Sequence, residues 1–580
     1  MSDPSPRHRR RGNPVRTIAA TLATALATTT VILSGTPAQA APSTLVVNAN
    51  QVLRPVTHVA TGSLYGLANA TTPADNLVQA IKPNTFVQKP QGGRQQPTGD
   101  ILTVAPKAAR AGAKVVNRLS DYYASWPYQF SWSDWLGVVD DQIAKTKASG
   151  ITNLAAYAPW NESDNTWLSS NGTFEDFWTR TYREIRSKDA TTPIQGPSFS
   201  DNIGDMDNFL RNAVATNTVP DIIAWHELTR SSKIAGDVAT VTALENKYGI
   251  SPRPIAIEEY AAPSEVGVPG ALVGYIAKFE RLGVHDAELA FWNQSGALGD
   301  LLTGQGGSPN GAYWLYKWYA DMSGSMLVTT PPAQTGIDGA ASRNSAGNEI
   351  DVVFGGSSGD SAVTVNGLGS LSAFGSTVHV KVEYTPSPGR TVAVSGPTTL
   401  SESDYAVNNG SITVPVSANS AYGYHIVITP GSGSGSGTTL DGSYQITNKN
   451  SALALDTRNG ATSQGTPVDQ ATSGGSATQT WTLVSAGPGL YKIRNQASGL
   501  LLGITNASTS AGGTALIWGD NGTPDHLWRV QPDGTGYYKI VNYNSNLLLG
   551  VQNMSTASGA QVLQWDDNGT ADHLWKLNPR

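Results

Sequence analysis

The chain has 580 residues, a formal charge of −6 and no cysteine. That length exceeds what one core needs and predicts several domains. Absent thiols exclude disulfides and thiolate metal sites, the acidic balance argues against nucleic acid, and the eight histidines show no ligand spacing, so neither metal nor cofactor is expected.

Residues 1–40 read as an export leader: basic "RHRRRG", the apolar "TIAATLATALATTTVILSG", then "AQA" before Ala41. A general secretion signal fits at least as well as a twin-arginine one. Without this segment 33 basic residues face 43 acidic ones, a balance of −10. No later apolar run approaches the roughly 20 residues of a membrane span. A soluble, secreted, monomeric protein is expected, with no membrane partner.

Next in chain order, residues 41–56 contain "TLVVNAN", a strand that could join a downstream β-sandwich. Residues 57–325 alternate apolar runs with amphipathic stretches, the rhythm of βα units. Candidate strands are "TNLAAYAP", "TPIQGP", "PDIIAWH", "RPIAIEEY" and "AELAFWN", ending near residues 160, 196, 226, 259 and 292. Helices are predicted over 174–187, 271–282 and 311–322. This spacing fits a (β/α)8 TIM barrel; a doubly wound sheet would bring a dinucleotide fingerprint, which is missing. From 326 to 430, "EIDVVFGG", "AVTVNGL", "TVHVKVEYT" and "GYHIVITP" alternate apolar and polar residues, predicting an antiparallel β-sandwich. "GSGSGSG" at 431–437 is a linker. In 438–580, "YQITNKNSALALD", "YKIRNQASGLLLG" and "YKIVNYNSNLLLG" recur every 47 residues, as do Trp481, Trp528 and Trp575. Three short-strand units around a pseudo-threefold axis make a β-trefoil.

In a TIM barrel the C-terminal ends of the strands line the active site. Those ends carry Glu162 with Asn161, His226 with Glu227, Glu258 or Glu259, and Trp292. Two carboxylates there suit glycoside hydrolysis, one as proton donor and one as nucleophile or base. Glu162 and Glu259 stand 97 residues apart, close to three βα units, and so face each other across the barrel mouth. Each residue alone has an ordinary reading, as a solvated loop glutamate, a core histidine or a structural ion pair; their succession at strand ends carries the functional one. Trp160 and Trp167 are open between stacking on sugar and packing the rim.

"WNE" followed three units later by "IEEY" resembles the retaining glycoside hydrolases of clan A, and the barrel with its sandwich is closest to glycoside hydrolase family 39. The resemblance makes Glu162 the acid/base, Asn161 the donor to the sugar 2-hydroxyl, and Glu259 the nucleophile, with Glu258 as its competitor because alternation lets one of the two face the mouth. It implies a raised pKa for Glu162 and an ionised Glu259. His226 would hydrogen-bond near the nucleophile, Arg118 of "KVVNRLSDYY" would support it, and Trp292 would form the floor beneath the sugar. Leu228 stands where many relatives have tyrosine, and Glu227 adds a third carboxylate, which puts the subsite shape in question. The strand number of Arg118 stays open.

The repeat domain resembles the ricin B-type lectins, carbohydrate-binding module family 13, through "QTW" at 479–481 and "HLW" at 526–528 and 573–575. The tryptophans of that signature are core markers. The family's sugar sites use an early Asp, a later aromatic and polar groups before the signature. Asp456 matches the first, while Trp518 with Asp525 and Trp565 with Asp572 match the others; Gly503 and Gly550 replace the early Asp there. The combined resemblance implies a retaining glycosidase acting on plant or microbial polysaccharide, with exo-action on xylosyl or arabinosyl side chains and a preference for xylan or arabinogalactan. An endo-acting xylanase, glucanase or galactanase is the alternative, and a noncatalytic carbohydrate-binding protein the alternative from another class.

Overall fold

A computed structural model describes residues 42–431, 440–487, 490–533 and 535–580. The leader at 1–40 and all of the linker except Gly431 lie outside the described residues.

Strand β1 (Ser43–Pro55) precedes eight short strands: β2 (Gly62–Leu64), β3 (Thr85–Gln88), β4 (Lys114–Arg118), β5 (Leu154–Ala158), β6 (Gln195–Phe199), β7 (Ile222–Glu227), β8 (Ile255–Tyr260) and β9 (Asp286–Leu289). These eight form a parallel sheet in the order β5-β4-β3-β2-β9-β8-β7-β6. The ring nearly closes, because a bridge between Tyr157 and Ile194 joins β5 to the chain entering β6. Helices fall between the strands, including Phe174–Lys188, Pro269–Leu282 and Gly311–Asp321. The first of these shows why it forms there. Thr173 caps it by accepting from the Asp176 N–H at 3.2 Å, Glu175 and Asp176 occupy its first turn and Arg186 and Lys188 its last, and Phe177, Trp178 and Ile185 are buried.

Arg118 ends the third barrel strand. A single α-helix, Trp135–Ser149, separates it from β5, which is why the interval to Glu162 is short for two units. Glu162 therefore follows the fourth barrel strand, His226 lies on the sixth, Glu259 on the seventh, and Trp292 follows the eighth.

After the barrel come β10 (Ser325–Thr330), β11 (Asp338–Arg343), β12 (Ile350–Gly355), β13 (Gly359–Asn366), β14 (Thr377–Thr385), β15 (Thr398–Ala406), β16 (Ile412–Ala418) and β17 (Gly423–Pro430). With β1 they make one nine-stranded sheet, β15-β14-β17-β12-β11-β10-β1-β13-β16. The expected antiparallel β-sandwich needs correction. The sheet is mixed, because β1 pairs antiparallel with β10 but parallel with β13. A strand arriving from far upstream is free of the hairpin constraint that makes neighbours antiparallel. Val378 and Val380 of β14 and Val414 and Val416 of β16, near opposite ends of the sheet, share one core. Barrel and sheet are tied by Asp338 of β11, which accepts from Lys278 Nζ at 2.8 Å and Arg281 Nη1 at 2.7 Å. At Gly270 a Cβ would lie 2.1 Å from the Ser420 carbonyl oxygen, so this helix start meets the sheet at glycine distance.

In the C-terminal region six strands (Gly442–Asn448, Thr480–Gly487, Leu490–Asn495, Leu527–Pro532, Tyr538–Asn542, Leu574–Pro579) close into an antiparallel barrel. Three hairpins, one per repeat, complete a β-trefoil. Trp481, Trp528 and Trp575 are fully buried, and their indole N–H groups donate to the carbonyls of Leu455, Leu502 and Leu549 at 2.9, 2.9 and 2.8 Å. They are core residues, as the signature implies.

Candidate active site

At the C-terminal ends of the barrel strands a cleft of about 380 Å³ is lined by Arg118, Asn161, Glu162, Glu259 and Trp292, together with Tyr65, Trp126, Tyr128 and Leu228. His226 lies beneath it, fully buried. Arg118, Asn161, Glu162, His226, Glu259 and Trp292, all singled out in the sequence, thus meet at one place. One oxygen each of Glu162 and Glu259 and one ring nitrogen of His226 lie within 4.8 Å of one another.

The backbone aims these groups by departing from regular strand. Glu162 is left-handed (φ 48°, ψ 58°) and starts the short helix Ser163–Thr166. Its N–H is held by the Ser198 carbonyl at 2.8 Å, and an L-residue kept in that region stores local strain. Between β7 and β8 the register passes from Trp225↔Ile257 to His226↔Glu259, leaving Glu258 as the extra residue of a β-bulge. Strict alternation fails at this point, so Glu258 and Glu259 both reach Arg118. Arg118 Nη1 donates to Glu259 Oε1 at 2.7 Å and its Nη2 lies 3.6 Å from Glu258 Oε2. The two still differ in access: Glu259 lines the cleft, while Glu258 is sealed below it and accepts from Gln195 Nε2 at 2.5 Å.

Charge in this buried site is nearly balanced. Burial alone would keep His226 neutral, but the carboxylates of Glu259, Glu162 and Glu258 outweigh it and push the imidazole up to about 10. Its Nδ1 lies 3.0 Å from Glu162 Oε1 and its Nε2 3.7 Å from Glu258 Oε2. Burial raises the Glu162 carboxyl, yet the hydrogen bond and charge of His226, the Asn165 amide and Arg118 together bring it below the ordinary glutamate range. The expected rise for Glu162 is thereby reversed, because a cation sits against it. Glu258, raised by burial, is likewise held low by His226, Arg118 and Gln195. Glu162, His226 and Glu259 form a donor set that a metal ion could use, but the Arg118 guanidinium already occupies Glu259.

Glu227 stands apart from the cleft. It accepts from Trp225 Nε1 at 2.9 Å, and burial pushes its carboxyl up to about 8. Trp160 is core: its Nε1 donates to Thr166 Oγ1 at 2.9 Å and its ring packs on Tyr128 and Phe177. Trp167 joins the same cluster, 5.1 Å from Trp160. Sequence reasoning missed the three aromatic residues Tyr65, Trp126 and Tyr128. Tyr65 and Tyr128 line the cleft, and both donate to buried Asp121, Tyr128 at 2.7 Å. Trp126, 50% exposed, faces the cleft together with Trp292, 43% exposed.

In the trefoil, Trp518 and Asp525 line one cavity of about 350 Å³ with Asn506, Asn521 and His526. Trp565 is exposed and Asp572 buried, the latter accepting from Thr570 Oγ1 at 2.5 Å. Asp456 is bound internally, accepting from Gln479 Nε2 at 2.9 Å. A Cβ on Gly503 would lie 2.3 Å from His526 Cδ2, and one on Gly550 2.1 Å from His573 Cδ2. In repeats two and three the imidazole fills the space that the Asp456 side chain uses in repeat one.

A family model described as ricin-type beta-trefoil lectin domain-like matches residues 434–519 and 524–580. A 3-O-beta-L-arabinopyranosyl-alpha-L-arabinofuranosidase of Bifidobacterium pseudocatenulatum is 27% identical over 448 residues, 64% of this chain and 46% of that protein. A 3-O-alpha-D-galactosyl-alpha-L-arabinofuranosidase of Bifidobacterium longum subsp. longum is 26% identical over 446 residues, 64% of this chain and 39% of that protein. The chain thus spans less than half the length of these curated relatives. Among solved structures, N2152 from Neocallimastix frontalis is 36% identical with a TM-score of 0.65, covering 67% of this chain and 100% of that one.

Proposed function

From the premise that this chain belongs to the same family as N2152 from Neocallimastix frontalis, we propose that it is a retaining glycoside hydrolase that removes arabinofuranosyl-type side chains from plant polysaccharide. The observation that carries this reading is the pair of carboxylates from the fourth and seventh barrel strands, with one oxygen of each within 4.8 Å of the other. That gap suits direct attack and leaves no room for the water an inverting enzyme needs between carboxyl groups roughly 6.5–9.5 Å apart. The fold is of the TIM-barrel glycoside hydrolase type with a trefoil lectin module. Its division into a barrel at 57–325, a sheet at 326–430 and a trefoil at 438–580 is part of this proposal. The finer resemblance to family 39 gives way to this coarser one, since the curated relatives carry arabinofuranosidase names.

In this reading Glu259, held in place by Arg118 at 2.7 Å, attacks the anomeric carbon. Glu162 gives a proton to the leaving oxygen and later takes one from water. In the free site that proton rests on His226, one hydrogen bond of 3.0 Å away. The proton passes along that direct bond to Glu162 when substrate is seated against the carboxyl. Asn161, buried with its Oδ1 unpartnered, is placed to meet the sugar hydroxyls. Trp126 and Trp292 offer two aromatic faces for two sugar rings, which supports a substituted arabinose, hence a disaccharide product, over a single pentose. The trefoil holds the enzyme near its polymer through Trp518 and Asp525 and through Trp565 and Asp572; Asp456, satisfied by Gln479, is the weakest of these positions.

The test is incubation of the full chain with arabinogalactan, arabinoxylan and chromogenic arabinofuranosides. Product masses and the anomer first formed, read by NMR, are the measurements. Release of a disaccharide with retained configuration is expected; long oligosaccharides would favour an endo-glycanase, and no product from any of them would favour a binding protein.

A further inference from the structure

Between the nine-stranded sheet and the trefoil lies a cavity of about 380 Å³, separate from the barrel cleft and set on the other side of the 521–527 loop from the Trp518 pocket. The sheet contributes Tyr384, Tyr422, Tyr424 and Asn419, and the trefoil contributes Arg529 and Tyr543. Tyr384 and Tyr422 lie parallel, 5.5 Å between centroids and 9° between planes. Tyr543 is fixed across the junction by its hydroxyl, which donates to the Ser417 carbonyl at 2.9 Å.

Arg529 is the anomaly. Its residue is 5% exposed, its Nη1 donates to the neutral Asn546 Oδ1 at 2.8 Å, its Cζ stands 5.3 Å from the Tyr543 ring centre, and its Nε has no partner. No carboxylate is among the described residues lining the cavity. A guanidinium taken out of water is normally matched by an anion, because amide and ring contacts recover part of its lost hydration. Burial accordingly holds its pKa below the usual arginine value, with nothing stronger than tyrosines nearby to raise it.

We propose that this cavity is a subsite for a uronic acid residue of the polysaccharide, whose carboxylate pairs with Arg529 while its ring packs among Tyr384, Tyr422 and Tyr543. One unmatched cation calls for one negative charge. A doubly charged phosphate would exceed it, and a bare carboxylate would leave the tyrosine-lined volume unfilled. A planar carboxylate also fits the guanidinium fork, and sugar C–H faces fit the rings. The proposal rests on the reading of the chain as a polysaccharide-acting protein. It adds that the polymer carries acidic units and that the junction of sheet and trefoil holds them.

The experiment is calorimetric and saturation-transfer NMR titration of the full chain with methyl α-D-glucuronoside, methyl α-D-glucoside and sodium acetate. The glucuronoside is expected to bind about tenfold or more tighter than either other probe, the scale of a buried charged hydrogen bond. Arg529→Met should abolish that preference and Arg529→Lys should weaken it, since an ammonium lacks the fork. If thermal melting shows that Arg529→Met does not fold, Tyr422→Ala carries the test, with a loss of binding expected. Equal binding of all three probes, or a folded Arg529 or Tyr422 variant that binds glucuronoside unchanged, overturns the subsite. Hydrolysis is scored separately: glucuronoside binding without turnover of any glycoside sinks the enzyme reading and leaves this one standing, while turnover without glucuronoside binding does the reverse.

Discussion

The barrel cleft and the trefoil pocket, the two sites proposed for sugar, are built in opposite ways. The cleft gathers residues from six different strand ends and concentrates charge: Arg118, Glu162 and Glu259 line it, and His226 and Glu258 are buried below them. The trefoil repeats one scaffold three times and varies a few side chains on it. Asp456 with Gln479 in repeat one becomes Gly503 with His526 and Gly550 with His573 in the others. The lesson is that catalysis needs convergence, whereas repetition yields interchangeable, weaker sites whose differences can be traded by substitution.

The sharpest way to break this contrast is at the cleft. Glu259→Gln and Glu162→Gln are each expected to lower kcat on the order of a thousandfold or more with the melting temperature nearly kept. Turnover close to wild type in both would refute the assignment. Arg118→Lys should cost on the order of a hundredfold in kcat with KM little changed, because the bond to Glu259 matters most as charge moves. In the trefoil, Trp518→Ala with Trp565→Ala should weaken polysaccharide binding about tenfold in affinity electrophoresis, as expected for two stacking faces acting together. An unchanged mobility shift would show that these rings are not used.

Two smaller effects sharpen the comparison. Gly503→Asp should destabilise the fold by about 1–3 kcal/mol in denaturant melts, as overpacking does, and adding His526→Gln should recover most of it by recreating the repeat-one pair. Additive losses in the double variant would rule out that exchange. The last concerns pH. His226 has its pKa raised on folding to about 10, so its stabilising contribution is complete below the unfolded value of about 6.5 and is lost as pH rises through about 10. Melting temperature should therefore fall more steeply between pH 7 and 10 in the wild type than in His226→Asn.

The sequence disclosed what periodicity and repetition encode. "WNE" and "IEEY" lie at the ends of apolar runs, so Glu162 and Glu259 could be placed on strands three apart before any coordinates. The 47-residue recurrence announced three equivalent units around buried tryptophans. What stayed hidden has physical causes. Strand β2 is three residues long, too short to show a period, and Tyr65 follows it unannounced. Strand β11, "DGAASR", and strand β15, "TTLSESDYA", lack an apolar alternation, so the sheet's membership was underestimated. The bulge that turns both Glu258 and Glu259 toward Arg118 depends on one extra residue against a neighbouring strand, a relation between distant segments. The charge of His226 arises from three carboxylates that only the fold assembles.

Strand β1 carries a consequence for how the molecule is made. Its partners, β10 and β13, pair Val46 with Thr330 and with Thr364. During synthesis from the N-terminus, this strand leaves the ribosome long before either ladder exists. Its backbone stays open through the making of the whole barrel, and its ladder with β13 is complete only when residues near 366 arrive. Barrel and sheet are therefore expected to mature as one cooperative unit, late and across a large loop, with an unpaired edge that invites association for as long as it waits.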